Sequence, residues 1–296
     1  MSDNNVKGFN RGAYMGTITA ITVGSVFLGS VIHLGGGLLN HLPFRSTAPG
    51  GAAVSGSETI GSFAGMDVEL DAGSLTIEKG SEYSVSYEGY PQGKEPQYEV
   101  KGNTLVVTQK MGMNWGVKNG FPNNCSVTVT VPEGVSPELD IKLAMGGIEA
   151  GDLSFGTVVL DLDMGACKMT GCSMASCNVD ADMGACTFTN CSMTNCGMDA
   201  DMGDITLTNC SFTDGTFSAD MGSIDMTGAS FVSADCDANM GSIEVSGSFS
   251  SLTADCDMGS IKVTTAEGSE NASMDLKTDM GKITVNGQSQ GSEFKR

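Results

Sequence analysis

The sequence predicts an all-β chain built as a single β-solenoid of about 19-residue coils, preceded by one N-terminal transmembrane helix. Three observations carry this. Met-Gly steps begin at Met145, Met164, Met183, Met202, Met221, Met240, Met258 and Met280, and self-similarity at a fixed period near 20 marks one coil stacked on the next. Within each repeat, apolar or small residues alternate in steps of two, the side-chain period of a strand. Finally, residues 12–32 carry no charge, and about 20 apolar residues cross a bilayer core.

In chain order, residues 1–11 form a polar head with Lys7 and Arg11, read as cytoplasmic. The transmembrane helix is placed at 12–34. A buried core helix or a cleaved signal peptide are the alternatives, but no small-x-small cleavage site follows closely. Lys7 and Arg11 precede the span and only Arg45 follows closely, a bias that keeps the N-terminus in the cytoplasm and sends the rest outside the cell. Gly12, Gly16, Ala20 and Gly24 recur at steps of four, a small-residue ridge suited to pairing two helices as a homo-oligomer. Residues 35–57, rich in Gly, Ser, Ala and Pro, read as a flexible linker.

Residues 58–141 read as an irregular β segment that caps the solenoid, since a stack of coils must cover its open strand edges. Asp71-Ala72-Gly73-Ser74-Leu75-Thr76-Ile77 already matches the later Asp-Met-Gly-Ser-Ile pattern, so coiling starts there, while Met111 to Asn124 around Trp115 reads as a loop. The regular repeats occupy 142–287. Counting the Met as zero, inward positions fall at offsets 3 and 5 (Cys167, Met169), 8 and 10 (Cys172, Met174), 13 and 15 (Cys177, Val179), 17 (Ala181), and at the next Met. The Met column is thus assigned to the interior as adaptable filler. Three-residue steps between the pairs demand corners after Met-Gly, at Gly171, Asn190, Asn209 and Gly228, and near offset 11 or 12, where Gly and Asn tolerate left-handed backbone. Three-sided and four-sided coils both remain open, and a period of 19 rather than 20 favours three sides. The polar tail 288–296 offers no obvious cap.

A basic head, one anchor helix, an opening strand Phe63-Ala-Gly-Met-Asp-Val-Glu-Leu, then Gly-Ser-Leu-Thr-Ile, then Val127-Thr-Val-Thr-Val-Pro and Met-Gly-x-Ile repeats together resemble the bacterial membrane-anchored putative-adhesin family of unknown function. The resemblance spans about residues 60–287. It implies a surface β-solenoid, and the adhesin label is an analogy of fold. The Cys and Met content of this chain departs from the usual family pattern.

Charge narrows the function. The net charge is −20, and residues 161–287 hold 19 acidic against 4 basic side chains, which excludes nucleic acid as a partner because phosphate contacts need Lys and Arg. Residues 46–295 contain neither Arg nor His, so the commonest general base and the guanidinium clamp are missing. Paired carboxylates suit a polysaccharide-active β-helix enzyme, yet aspartates repeated on most rungs are a property of the repeat, whereas an active site is normally unique; the chain is read as no enzyme. Asp163, Asp182, Asp201, Asp220, Asp257 and Asp279 form one outward column, and Asp161, Asp180, Asp199, Asp237 and Asp255 a second. Charges ~4.8 Å apart repel, and counterions or calcium bridging adjacent rungs would offset this. No other cofactor is expected. The Cys columns occupy inward positions and read as small buried hydrophobes, with inter-coil disulfides as an alternative. Outward Thr pairs (Thr187, Thr189; Thr206, Thr208) break at Asp225 and carry no function. The expected function is a non-enzymatic, membrane-anchored adhesin-like scaffold for an unknown surface ligand or protein, with a structural or envelope-stress accessory working through a membrane partner as the alternative.

Overall fold

The computed structural model describes residues 53–112 and 124–296. The expected membrane helix 12–34, its ridge at Gly12, Gly16, Ala20 and Gly24, most of the 35–57 linker and most of the loop around Trp115 lie outside them. Among the described residues no helix is long and apolar enough to cross a membrane.

The chain winds as one all-β solenoid of about eight turns. Each regular coil gives a long and a short strand. The long ones, β10 (Ser154–Met164), β12 (Ser173–Met183), β14 (Ser192–Met202) and β16 (Ser211–Met221), pair in parallel and in register, as do the short β9 (Ile148–Gly151), β11 (Cys167–Thr170), β13 (Cys186–Thr189) and β15 (Ile205–Thr208). The stack continues through β17 (Ile224–Thr265) and β18 (Ser273–Val285). Identical positions therefore lie over one another, and each inward position becomes a ladder: Cys167, Cys186, Ile205 and Ile224 are fully buried, as are Met169, Phe188, Leu207 and Met226. Phe212, Phe231 and Phe249 stack face to face, with centroids 4.8 and 5.0 Å apart. The corners at Gly171, Asn190, Asn209 and Gly228 all have φ between +53° and +68°, the left-handed backbone their residue types allow.

One expectation fails at the motif that defines the repeat. The Met column does not face the core: Met164, Met221, Met240, Met258 and Met280 are 41–65% exposed, and Met145, Met183 and Met202 are half-buried. The last inward residue before the corner is Leu162 and the next is Cys167, with Asp163, Met164 and Ala166 turned outward between them. Glycine takes the inside of this corner because rungs touch there by backbone. A Cβ on Gly165, Gly184, Gly203, Gly222 or Gly241 would stand closer than 3.0 Å to the carbonyl of the glycine one rung earlier.

The two ends are built differently. On the long side, β6 (Thr104–Gln109) pairs with β2 (Gly65–Leu70), and β2 pairs with β8 (Glu138–Met145), which leads to β10. On the short side β7 (Ser126–Pro132), β3 (Ser74–Gly80) and β9 follow the same order. The first coil in sequence is thus the second in space. Antiparallel strands cover the outermost one: β4 (Ser84–Pro91) lies on β7, β5 (Gln97–Lys101) on β6, and β1 (Ala53–Thr59) on β4. At the other end the polar tail does cap the stack, contrary to expectation. Strands β19 (Gln288–Ser289) and β20 (Glu293–Lys295) return antiparallel along β18, and Arg296 and Met274 exchange backbone hydrogen bonds of 2.9 and 3.0 Å.

Candidate binding face

The long strands place the predicted aspartates on one outer face. Strand alternation turns Asp161, Asp180 and Asp199 outward, in register, while Leu160, Val179 and Met198 point in. Ser218 interrupts this column before Asp237. Of the other column, Asp163, Asp182, Asp220, Asp257 and Asp279 are exposed and Asp201 is half-buried. Asn239 stands where the repeat has Asp and donates to Asp220 Oδ1 at 2.5 Å.

Lysines bracket the face. Lys142 sits beside Asp161 at 3.9 Å, and Lys277 reaches Asp255 at 3.4 Å and Asp279 at 3.3 Å. Between them the sequence has only Lys168 and Lys262, and these pair on the short side with Glu149 and Glu244. Among the described residues the carboxylates on the middle rungs of this face thus have no lysine partner. Partial burial, then repulsion from neighbouring aspartates, raises the pKa of Asp163, Asp180, Asp201 and Asp237 above the usual carboxylate value. Gly197, lacking a side chain, leaves a shallow depression bordered by Asp161, Asp180, Asp199 and Asn178. Among the described residues no three His, Cys, Asp or Glu side chains converge to hold a metal ion; the aspartates meet their neighbours one rung at a time.

The cysteines lie elsewhere. All ten are free and buried. At the left-handed corner, Cys172 donates to the Thr170 carbonyl at 3.5 Å, Cys191 to Thr189 at 3.4 Å and Cys210 to Thr208 at 3.6 Å. These weak S–H donors add a second contact to carbonyls that already accept the backbone amides of Asp152, Gly171 and Asn190 one rung earlier, at 2.8 Å each. Burial pushes the Cys186 and Cys196 thiols up to about 12, so they stay protonated and inert. The columns missed by reading the sequence are the exposed methionines and the bracketing lysines. For the lysines the signal was present, since Lys142 and Lys277 occupy the Asp161 and Asp255 register positions.

With this geometry established, comparison with known proteins adds a lineage. Residues 63–295 match the family model described as Toastrack DUF4097. A crystal structure of a putative adhesin from Parabacteroides distasonis ATCC 8503 superposes with a TM-score of 0.51 at 16% identity, covering 79% of this chain and 96% of that one. A putative adhesin from Bacteroides fragilis NCTC 9343 gives a TM-score of 0.48 at 14% identity over 79% and 96% of the two chains. A putative lipid binding protein from Parabacteroides distasonis ATCC 8503 gives 0.45 at 15% over 81% and 96%. No curated protein matches the chain.

Proposed function

This chain belongs to the Toastrack DUF4097 family, and we infer from that premise and from its acidic face that it is a non-enzymatic, adhesin-like binding scaffold. Residues 12–34 anchor it in the cell membrane, with the N-terminus cytoplasmic and the solenoid outside. One observation carries the reading: among the described residues the middle rungs present in-register aspartates without a lysine partner, while Lys142 and Lys277 stand at the two ends of the face. A surface that keeps like charges ~4.8 Å apart costs stability. It gains its use when a partner bearing closely spaced cationic groups covers it, because complementary charge steers encounter and sets register. Calcium or other counterions screen the columns until then. The same carboxylates recur on successive rungs without a distinct acid, base or nucleophile among them, which supports binding rather than turnover.

A pull-down from cell-envelope fractions tests this, comparing the full chain with the triple variant Asp180→Asn, Asp199→Asn, Asp201→Asn. Captured partners should be lost from the variant and from the wild type in high salt. Capture that survives neutralisation but disappears when residues 1–48 are removed would instead favour an envelope accessory working through its membrane segment.

A further inference from the structure

The methionine column remains unexplained by packing or by the acidic face. We propose that it is a ladder of binding sites for soft monovalent metal cations, Cu(I) being the physiological member, each held between thioether sulfurs of neighbouring rungs.

Four observations lead there. Consecutive methionines pair in register on adjacent parallel strands: Met145 with Met164, Met164 with Met183, Met183 with Met202, Met202 with Met221, Met221 with Met240, and Met258 with Met280. Strands lie ~4.8 Å apart, close to twice a metal–sulfur bond of about 2.3 Å, as found in zinc–thiolate sites. Methionines leaving adjacent strands at this spacing can bring one sulfur to each side of a cation.

Second, these side chains are open to solvent, with Met221, Met240 and Met258 43–47% exposed. A core would not need them there. Third, the column is chemically invariant over the regular repeats. Inward columns exchange Cys for Ile, or Met for Phe, Leu and Val, because hydrophobes of similar volume are interchangeable. At the corner every regular rung from Met145 to Met280 carries Met; Leu and Ile never replace it, and only the first coil departs, with Ala72. What Met has and they lack is sulfur, and thioether ligands select Cu(I) among the biological metals. Fourth, an aspartate precedes most of these methionines, so the local field draws cations and repels anions.

An apolar docking edge explains the column less well. The strip is one residue wide between aspartates and glycines, and a dry partner would have to desolvate those carboxylates. The interior thiols do not compete by access: Cys167 and Cys186 are fully buried, whereas thioethers carry no proton to lose and face the solvent.

The test uses the full chain labelled with carbon-13 at the methionine methyls and titrated with Ag(I), a redox-stable soft cation. The column methyls should shift with the first equivalents while those of the buried Met169, Met174, Met193 and Met198 stay in place. Calcium at equal concentration should move none of them. In the triple variant Met221→Leu, Met240→Leu, Met258→Leu the circular dichroism and melting curve should be unchanged, since the side chains are exposed. Its Ag(I) capacity should fall by about half, because only the rungs from Met145 to Met202 keep methionines on neighbouring strands, and only those methyls should still shift. The proposal is overturned if Ag(I) is taken up by the thiols with the column methyls unmoved, if calcium shifts them equally, or if the leucine variant binds as many Ag(I) ions as wild type.

Discussion

The N-terminal coils and the regular coils use the same cross-section and treat charge in opposite ways. In the first, charged groups find partners within the fold: Lys79 meets Glu133 at 2.6 Å, Lys110 pairs with Glu69, and Asp71 accepts from the backbone amides of Met111 and Gly112 at 2.6 and 3.2 Å. In the second, Asp180 stacks on Asp199 and Asp161 with no base beside it. Asp71 and the later aspartates precede the same corner glycine, yet one closes a loop and the others face outward. The contrast teaches that the motif's carboxylate is not needed for coiling. In the first coil the fold satisfies it, and on rungs such as those of Asp182 and Asp201 the repeat displays it without a base.

The comparison can be broken or sharpened by substitution, beginning with the largest effect. Phe231→Ala, in the middle of the aromatic stack, should cost about 3–5 kcal/mol in urea denaturation. Gly222→Ala should cost about 3 kcal/mol, the upper end for forced overpacking, because its Cβ meets the Gly203 carbonyl; Gly61→Ala, with open space around it, should change little. Equal melting of these two glycine variants would refute the close-contact account of the corner. The third pair carries the comparison itself. Asp71→Asn should destabilise by about 1.5 kcal/mol, as a charged acceptor of two amides is lost. Asp201→Asn should stabilise by about 0.2–1 kcal/mol, since a like-charge contact is relieved. The same sign for both would erase the distinction between the two regions.

The smallest effect is a pH dependence. Asp163, Asp180, Asp201 and Asp237 have pKa values raised in the folded state by partial burial and like charge. The folded protein therefore holds more protons than the unfolded chain just above the ordinary aspartate value, and stability falls as pH rises through that window. Exposed Glu133, drawn down by its hydrogen bond and proximity to Lys79, opposes this weakly. The melting temperature should be higher near pH 4.5 than near pH 7 at low ionic strength, and the gap should narrow in about 0.5 M salt. Calorimetric scans at both pH values check it, with added calcium expected to act as salt does.

Much of this architecture could be read from residue spacing. The two-step pairs at Cys167 and Met169 and at Cys172 and Met174, and the left-handed corners at Asn190 and Asn209, follow from strand geometry and side-chain type alone. The methionine column could not be placed the same way, because alternation carried past Ala181 puts Met183 inside. Only the glycine contact with the rung below shows that the backbone has already turned. A clue existed in the sequence: a position that never exchanges Met for Leu or Ile behaves unlike packing. The N-terminal order was also hidden. Nothing local in residues 65–80 says that 104–109 and 126–132 lie on one side and 138–151 on the other, since those pairings join distant segments. The capping return of Glu293–Lys295 is likewise a long-range contact made by polar residues without a periodic signature.

The out-of-order first coil has a kinetic consequence. Regular rungs pair with neighbours one repeat away, a short loop to close, whereas Gly65 must hold both Thr104 and Glu138. Loop-closure entropy makes such distant pairings slow. During synthesis the strand Gly65–Leu70 emerges before either of its flanking partners exists, and it waits with two unsatisfied edges. Those two pairings are therefore expected to form more slowly than one regular rung adds to the next.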